Sequence, residues 1–403
     1  MLYIFIFIGL YFQIFLLITL LEKNQPINES GQRKLPTVNI TIPCFNEETT
    51  VTETILSLLN LDYPKDKLTL LVVDDGSTDN TYDVVKKLTT EYPQIRLIHK
   101  ENGGKHSALN LGLKENTSEL IGCLDADSFV DSQALKRMIP YFDNPNVMAV
   151  TPAIRIHKPK TILQFIQKAE YNFGILGRHI MAKIDAIHVT PGPFSIFRKK
   201  VFENLGGYKH AHNTEDMEIA FRMQESGYKI ANCSNAFVYT VAPDTIYKLH
   251  TQRVRWISGF LKNCLDYKHI FFKKKYGNMG VFTLPFSFIS IFTALYIFGT
   301  VLYNIGNYIS EKIIKINTIG FSFNMKWLRF DWFFINTESI SILAVVVIAI
   351  SIFLILLGKK MAEGNMKFSR DIFYFILFYS FISPFWLTKA VYNTMTFKTT
   401  LWR

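Results

Sequence analysis

Four runs of this chain carry no charged side chain, and no water-soluble fold hides all of them. They are Leu2 to Leu21, Val281 to Ser310, Ser339 to Gly358 and Ile372 to Leu387. At about 1.5 Å rise per residue, about twenty such residues in a helix match the hydrocarbon core of a bilayer. Four spans are therefore expected, the last being the shortest. The first run lacks a basic n-region and a small-residue cleavage site before Glu22, which favours a retained anchor over a signal peptide. A polar linker, Glu22 to Gln32, separates it from a long stretch of mixed charge that must form the soluble domain.

Net charge is +11, and the Lys and Arg residues cluster beside the apolar runs. Arg253, Arg255, Lys262, Lys268, Lys273, Lys274 and Lys275 precede the second; Lys359, Lys360, Lys367 and Arg370 lie between the third and fourth. With four spans, both clusters and the soluble domain share one side, which the positive-inside rule makes cytoplasmic, at the cell membrane. The 311–338 loop also carries four Lys/Arg, so the asymmetry is incomplete. No recognised nucleic-acid motif accompanies the charge, so nucleic acid is not an expected partner. Cys44, Cys123, Cys233 and Cys264 are widely spaced and read as small core residues rather than as a disulfide framework or zinc site.

From Pro36 onward, short apolar runs alternate with amphipathic ones. Strands are expected over 37–43, 68–75, 95–99 and 120–127, with helices over 48–59, 79–91, 107–114 and 131–142 between and after them. That alternation predicts a Rossmann-like α/β domain with a parallel sheet and helices on both faces, over 36–242 and inserted between transmembrane helices. Such sheets bind ligands beyond the carboxyl ends of their strands. The segments 158–185 and 243–276 read as amphipathic helices suited to a membrane surface, and 277–403 as a membrane region of about three helices.

Two acidic clusters fall at strand ends: Asp74-Asp75-Gly76-Ser77 and Asp125-Ala126-Asp127. A third, Thr214-Glu215-Asp216, opens a helix over 217–226. Alone, Asp-Gly-Ser reads as a turn with a helix cap. The D-x-D pair could face solvent in a loop; equally, two carboxylates one residue apart repel each other, and a hard divalent cation relieves that repulsion. Asn102-Gly103-Gly104-Lys105 could cradle a phosphate or be a glycine turn with a solvated lysine; it is not a Walker motif. Gln252-Arg253-Val254-Arg255-Trp256 alone reads as a surface helix whose arginines meet lipid headgroups.

Taken in order, these elements resemble the family 2 glycosyltransferases, in particular the membrane-embedded synthases of β-linked polysaccharides (poly-N-acetylglucosamine, chitin, hyaluronan, cellulose). The matching residues are PCFNEE (43–48), VVDDGSTDNT (72–81), ENGGKHSALN (101–110), LDADS (124–128), GPFSIFRK (192–199), NTEDMEIAFRM (213–223) and QRVRW (252–256). The resemblance implies a GT-A type nucleotide-sugar-binding domain. It assigns Asp75 to the uridine end of a UDP-sugar, and Lys105, Asp125 and Asp127 to the sugar diphosphate, Asp127 and Asp125 through Mg²⁺ or Mn²⁺. Asp216 matches the catalytic base; Glu215, Gln252, Arg255 and Trp256 face the acceptor and leaving group. Arg253, outside that signature, is left to face lipid. Pro191 and Pro193 would stiffen the loop at the acceptor pocket, and the family's F-x-V-T-x-K gating segment is missing.

The chemistry agrees with those roles. An acceptor hydroxyl needs a carboxylate to take its proton, and a departing nucleoside diphosphate needs positive charge. A tryptophan offers a flat apolar face to a sugar ring. The leading expectation is a processive, inverting hexosyltransferase that extends a β-linked polysaccharide, from UDP-N-acetylglucosamine, and moves it outward through its own spans. The alternatives are transfer of one sugar to a lipid or lipid-linked acceptor, and a non-enzymatic membrane scaffold with a dead transferase domain. Membrane lipids, the acceptor and a small membrane or export subunit are the partners to look for.

Overall fold

The structure, a computed structural model, describes residues 2–22, 35–319 and 339–398. Most of the polar linker and the 320–338 part of the loop after the second apolar run lie outside the described residues.

The first half of the domain is set by runs too apolar to face water on either side. Strand β1 (Val38–Cys44) is buried along nearly its whole length and pairs in parallel with β2 (Leu68–Asp74) and β4 (Leu120–Cys123); β3 (Ile95–His99) extends the parallel ladder beyond β2. Alternation then sorts the side chains. Ile40, Ile42, Leu70 and Val72 meet Val51, Ile55 and Leu58 of helix α2 (Val51–Leu59) on one face. Leu71 and Val73 meet Ala108 of α4 (Lys105–Lys114) on the other. Helix α3 (Thr81–Glu91) completes this unit.

Beyond β4 the expected all-parallel sheet gives way to a mixed one. The described sheet has eight strands in the order β3-β2-β1-β4-β7-β6-β8-β5. The apolar run read as one strand over 120–127 breaks after Cys123, and a short β5 (Ser128–Val130) resumes on the far edge. Between them sits the acidic D-x-D turn, a bend that hydropathy cannot show. The helix expected over 131–142 is present as α5 (Ala134–Met138), which tightens into a 3-10 helix over Ile139–Asp143. Strand β6 (Val147–Ile156) is parallel to β8 (Lys229–Thr240), while β7 (Ile196–Arg198) runs antiparallel to both β4 and β6. Helices α7 (Lys199–Leu205) and α8 (Glu215–Glu225) follow β7, and Val201, Phe202, Ile219, Ala220 and Met223 close a second core with Ile121 and Phe197.

The segment 158–185 is one long helix, α6 (Ile162–Lys183), opened by a capping box between Thr161 and Gln164. Segment 243–276 forms α9 (Ile246–Asp266), followed by short turns. These two helices join the domain to the four helices that, among the described residues, are long and apolar enough to cross a membrane: α1 (Leu2–Leu21), α10 (Leu284–Ile319), α11 (Ser339–Glu363) and α12 (Arg370–Met395). All four cysteines are buried.

Specific contacts fix α1, α11 and α6 together. Gln13 donates to Ser351 Oγ at 2.7 Å between α1 and α11, and Lys183 donates to the carbonyl oxygens of Thr19 and Leu20 at the end of α1. Gly358 lets α11 lie directly on α6, since a Cβ there would come within 2.8 Å of the Asn172 carbonyl oxygen. Gly358→Val is therefore expected to lower the thermal unfolding midpoint in detergent, by about 1–3 kcal/mol of overpacking. An unchanged midpoint would mean that α6 and α11 are not seated together.

Candidate active site

Each candidate side chain is placed by a strand end or a helix start. At the end of β2 the chain turns at Gly76, whose φ is +76° and whose Cβ position lies 2.8 Å from the Asn102 amide nitrogen, so no larger residue fits. Asp74 and Asp75 are both buried there. Asp74 accepts from the Ser77 amide and pairs with His99 Nδ1 at 2.6 Å. Asp75 accepts from the Gly103 amide at 3.0 Å and from Lys100 Nζ at 2.5 Å. The first acidic cluster thus organises the glycine loop before Lys105.

Lys105 opens α4 and reaches inward between carboxylates. Its Nζ lies 2.5 Å from Asp125 Oδ1 and 3.3 Å from Glu215 Oε1. Burial alone would lower its pKa, but Asp125, Glu215 and Asp216 more than reverse this and hold it above the usual lysine value. The alternative of a solvated lysine is thus excluded. Gly192, on the loop before β7, forms the opposite wall: a Cβ there would come within 2.6 Å of Lys105 Nζ and 2.8 Å of either Asp125 carboxylate oxygen.

Asp127 and Asp216 are both pushed toward neutrality. Burial, then the charges of Asp125 and Glu47, raises Asp127 from 3.8 to about 6. Burial and Glu215 raise Asp216 to about 7, against the opposing pull of Lys105 and Arg255. Its backbone is fixed as well, because the Thr190 amide and hydroxyl both donate to the Asp216 carbonyl. Lys105, Asp125, Glu215, Asp216 and Arg255 therefore form one electrostatic cluster. Asp75 sits at the end of β2, across β1 from Asp125, bonded to Lys100 and Gly103 instead.

Helix α9 brings the last motif alongside. Arg255 donates to the Asn213 carbonyl at 2.9 Å, just ahead of Glu215 and Asp216. Ala211, His212 and Asn213 all have positive φ (42°, 58° and 63°), a strained run that this bond helps to hold. Arg253 corrects the expectation of a lipid-facing arginine. It is 3% exposed, donates to Glu170 Oε2 at 2.7 Å and to Gln252 Oε1 at 3.0 Å, and lies 4.4 Å from the centre of the Trp256 ring. It orients the two motif residues flanking it. The signal for this was Glu170, a lone acid in an amphipathic helix, but its pairing across the sequence could not be read.

Sequence reasoning also passed over Lys100 and Glu47. The clue for Glu47 was available, since Glu47-Glu48 follows the end of β1 just as the other acids follow β2 and β4. Among the described residues, no group of three or more His, Cys, Asp and Glu side chains is arranged to cage a metal.

Residues 39–206 match the family model described as glycosyl transferase family 2. This segment is a family 2 glycosyltransferase domain. Relatives extend the likeness along the chain. A poly-beta-1,6-N-acetyl-D-glucosamine synthase of Staphylococcus epidermidis is 28% identical over 358 residues, 87% of this chain and 83% of that one. A probable glycosyltransferase of Bacillus subtilis, YdaM, is 28% identical over 386 residues, 92% of this chain and 85% of that one. A poly-beta-1,6-N-acetyl-D-glucosamine synthase of Staphylococcus aureus (strain COL) is 32% identical over 242 residues, 59% of this chain and 57% of that one. Among solved structures, the mannosyltransferase PcManGT from Pyrobaculum calidifontis, in complex with GDP-Man and Mn²⁺, superposes with TM-score 0.64 at 16% identity, covering 97% of this chain and 95% of that one. The family 2 domain accordingly has the GT-A fold, and the enzyme class follows from the family.

The electrostatics yield a stability test. A carboxyl with a raised pKa favours the folded state when protonated, and that contribution is lost as pH rises from 3.8 through about 7. Without ligand, Asp216→Asn is expected to raise the unfolding midpoint by a few degrees at about pH 8 and to lose that advantage at about pH 4. Equal midpoints at both pH values would show that Asp216 is ordinarily ionised.

Proposed function

We propose that the protein is an inverting glycosyltransferase that moves N-acetylglucosamine from its UDP derivative to the end of a growing β-linked polysaccharide. The catalytic domain would face the cytoplasm, and the membrane helices would help carry the chain outward. The observation that carries this reading is the Lys105–Asp125–Glu215–Asp216–Arg255 cluster, where a buried carboxyl raised to about 7 meets two cations at strand ends and helix starts. The synthase names of relatives that span most of both chains support the sugar and the polymer.

In this reading Asp75 with Lys100 receives the uridine end. The diphosphate replaces carboxylate as the partner of Lys105, and Gly192 leaves room for it. Asp216 takes the proton of the acceptor hydroxyl as its oxygen bonds to the anomeric carbon. The bond from that carbon to the diphosphate oxygen breaks on the opposite side, so an α-linked donor yields a β-linked product. Arg255 and Lys105 offset the charge on the departing UDP. Trp256 offers its face to the acceptor sugar and Gln252 a hydrogen bond.

The D-x-D pair fits a divalent cation. Asp127 is raised partly by the charge of Asp125, a repulsion that a cation would relieve, and carboxylate oxygens suit Mg²⁺ or Mn²⁺. Bound there by Asp127 and Asp125, the ion would supply positive charge for the diphosphate and take its remaining ligands from water and phosphate.

The purified protein, given a panel of UDP-sugars, is expected to release UDP with N-acetylglucosamine as the preferred sugar and to build long products. Products one sugar long would instead assign it to a lipid-linked acceptor. Asp216→Asn should lower turnover by roughly 10²–10⁴-fold. Transfer by the parent should rise with pH toward a midpoint near the Asp216 value of about 7, because only the ionised carboxylate accepts a proton. A variant as fast as the parent would remove Asp216 as the base.

A further inference from the structure

Helix α12 is long and apolar enough to cross a bilayer, yet its contacts tie both of its ends to one side. At its start, Asp371 is buried 3.9 Å from Lys168 of α6 and 3.7 Å from Lys359 at the end of α11. The Arg370 guanidinium lies 4.0 Å from the centre of the Phe165 ring, also on α6. Two turns on, Tyr379 donates to Glu170 of α6 at 3.0 Å. Trp386 is buried against Leu249 and Val254 of α9. Ser258 of α9 donates to the Ala390 carbonyl, and past the helix end Lys262 donates to the Lys398 carbonyl at 2.5 Å.

Helix α12 is about 39 Å long at the standard rise. A helix of that length standing across a bilayer would leave α6 and α9 behind after its first turns. Helix α9 cannot follow it into the bilayer centre, because it carries Lys248, Arg253, Arg255 and Lys262. The uncharged stretch within α12, Ile372 to Leu387, is about 24 Å as a helix, short of the roughly 30 Å core, and Lys389 is exposed beyond it.

The surface of α12 matches this placement. The most exposed large apolar side chains, Phe373, Leu377, Phe381, Phe385, Tyr392 and Met395, fall on one arc of about 120°, with the less exposed Ile376 and Phe378 on its flanks. Asp371, Tyr379, Trp386, Ala390 and Asn393 occupy the opposite arc, against the protein. Phe385 meets Phe298 of α10, ring centres 5.4 Å apart, so the apolar arc sinks toward the inner half of that span.

We propose that α12 lies along the membrane surface with its phenylalanine-rich arc in the boundary between headgroups and acyl chains. Three helices, α1, α10 and α11, then cross the bilayer, and the chain after α12 emerges on the side of the catalytic domain. Through Tyr379 and Glu170 this helix also forms the lipid-side backing of Arg253, and so of Gln252 and Trp256. The proposal stands whichever sugar is transferred.

The full chain with an epitope fused after Arg403 tests this in sealed vesicles of both orientations. Protease should cut the epitope and the catalytic domain in the same vesicle preparation and spare both in the other. Cutting in opposite preparations would make α12 a fourth span and overturn the proposal. Spin labels placed singly along 373–395 give a second readout that does not depend on the fusion. Their depth should oscillate with a period of about 3.6 residues and stay within one leaflet. Depth that runs steadily through the bilayer midplane would overturn the proposal as well.

Discussion

The site depends on one buried cation among carboxylates. Lys105 is enclosed by Asp125 and Glu215, with Asp216 adding to the field, and it is what makes so much negative charge tolerable inside a protein. An isolated buried carboxylate is costly, and several together more so. The cluster is only partly balanced, since Asp127 and Asp216 remain far above the ordinary aspartate value. That residual imbalance is what a ligand bringing positive charge, or an acceptor bringing a proton, can relieve.

The rest of the domain holds this arrangement in place. The parallel half of the sheet delivers Asp75 and Asp125 at the ends of β2 and β4, the two strands that flank β1, where such folds bind their ligands. The antiparallel β7 carries the Gly192 loop over Lys105, and the strained 211–213 run sets Glu215 and Asp216 at the start of α8. Helices α6 and α9 then lock the Gln252–Trp256 segment to α12 through Glu170, Arg253 and Tyr379. These contacts hold the segment that carries Gln252, Arg255 and Trp256 against the helices beside the membrane, which explains why it lies so close to the spans.

Much of this was legible in the residues. The strands β1 to β3 and their helices follow directly from apolar runs and the polar turns between them, because such patterns are local. Two of the three acidic clusters announced themselves by standing at strand ends. The antiparallel β7 was not legible, since a three-residue strand has no periodicity to read. Nor was the burial of Arg253, because its partner Glu170 is remote in sequence and a basic amphipathic helix looks the same whether its arginines meet lipid or protein. Lys105 was rightly singled out, but its pairing with Asp125 is a tertiary fact.

The central claim is that Asp127 and Asp216, raised by burial and by neighbouring carboxylates, are held partly protonated until nucleotide sugar and metal arrive. Calorimetric titration of UDP-N-acetylglucosamine with Mn²⁺, in buffers of different ionisation enthalpy at about pH 6.5, measures the protons exchanged on binding. The account predicts net proton release by the parent protein and a smaller release by Asp127→Asn. Tight binding with no proton released would contradict it.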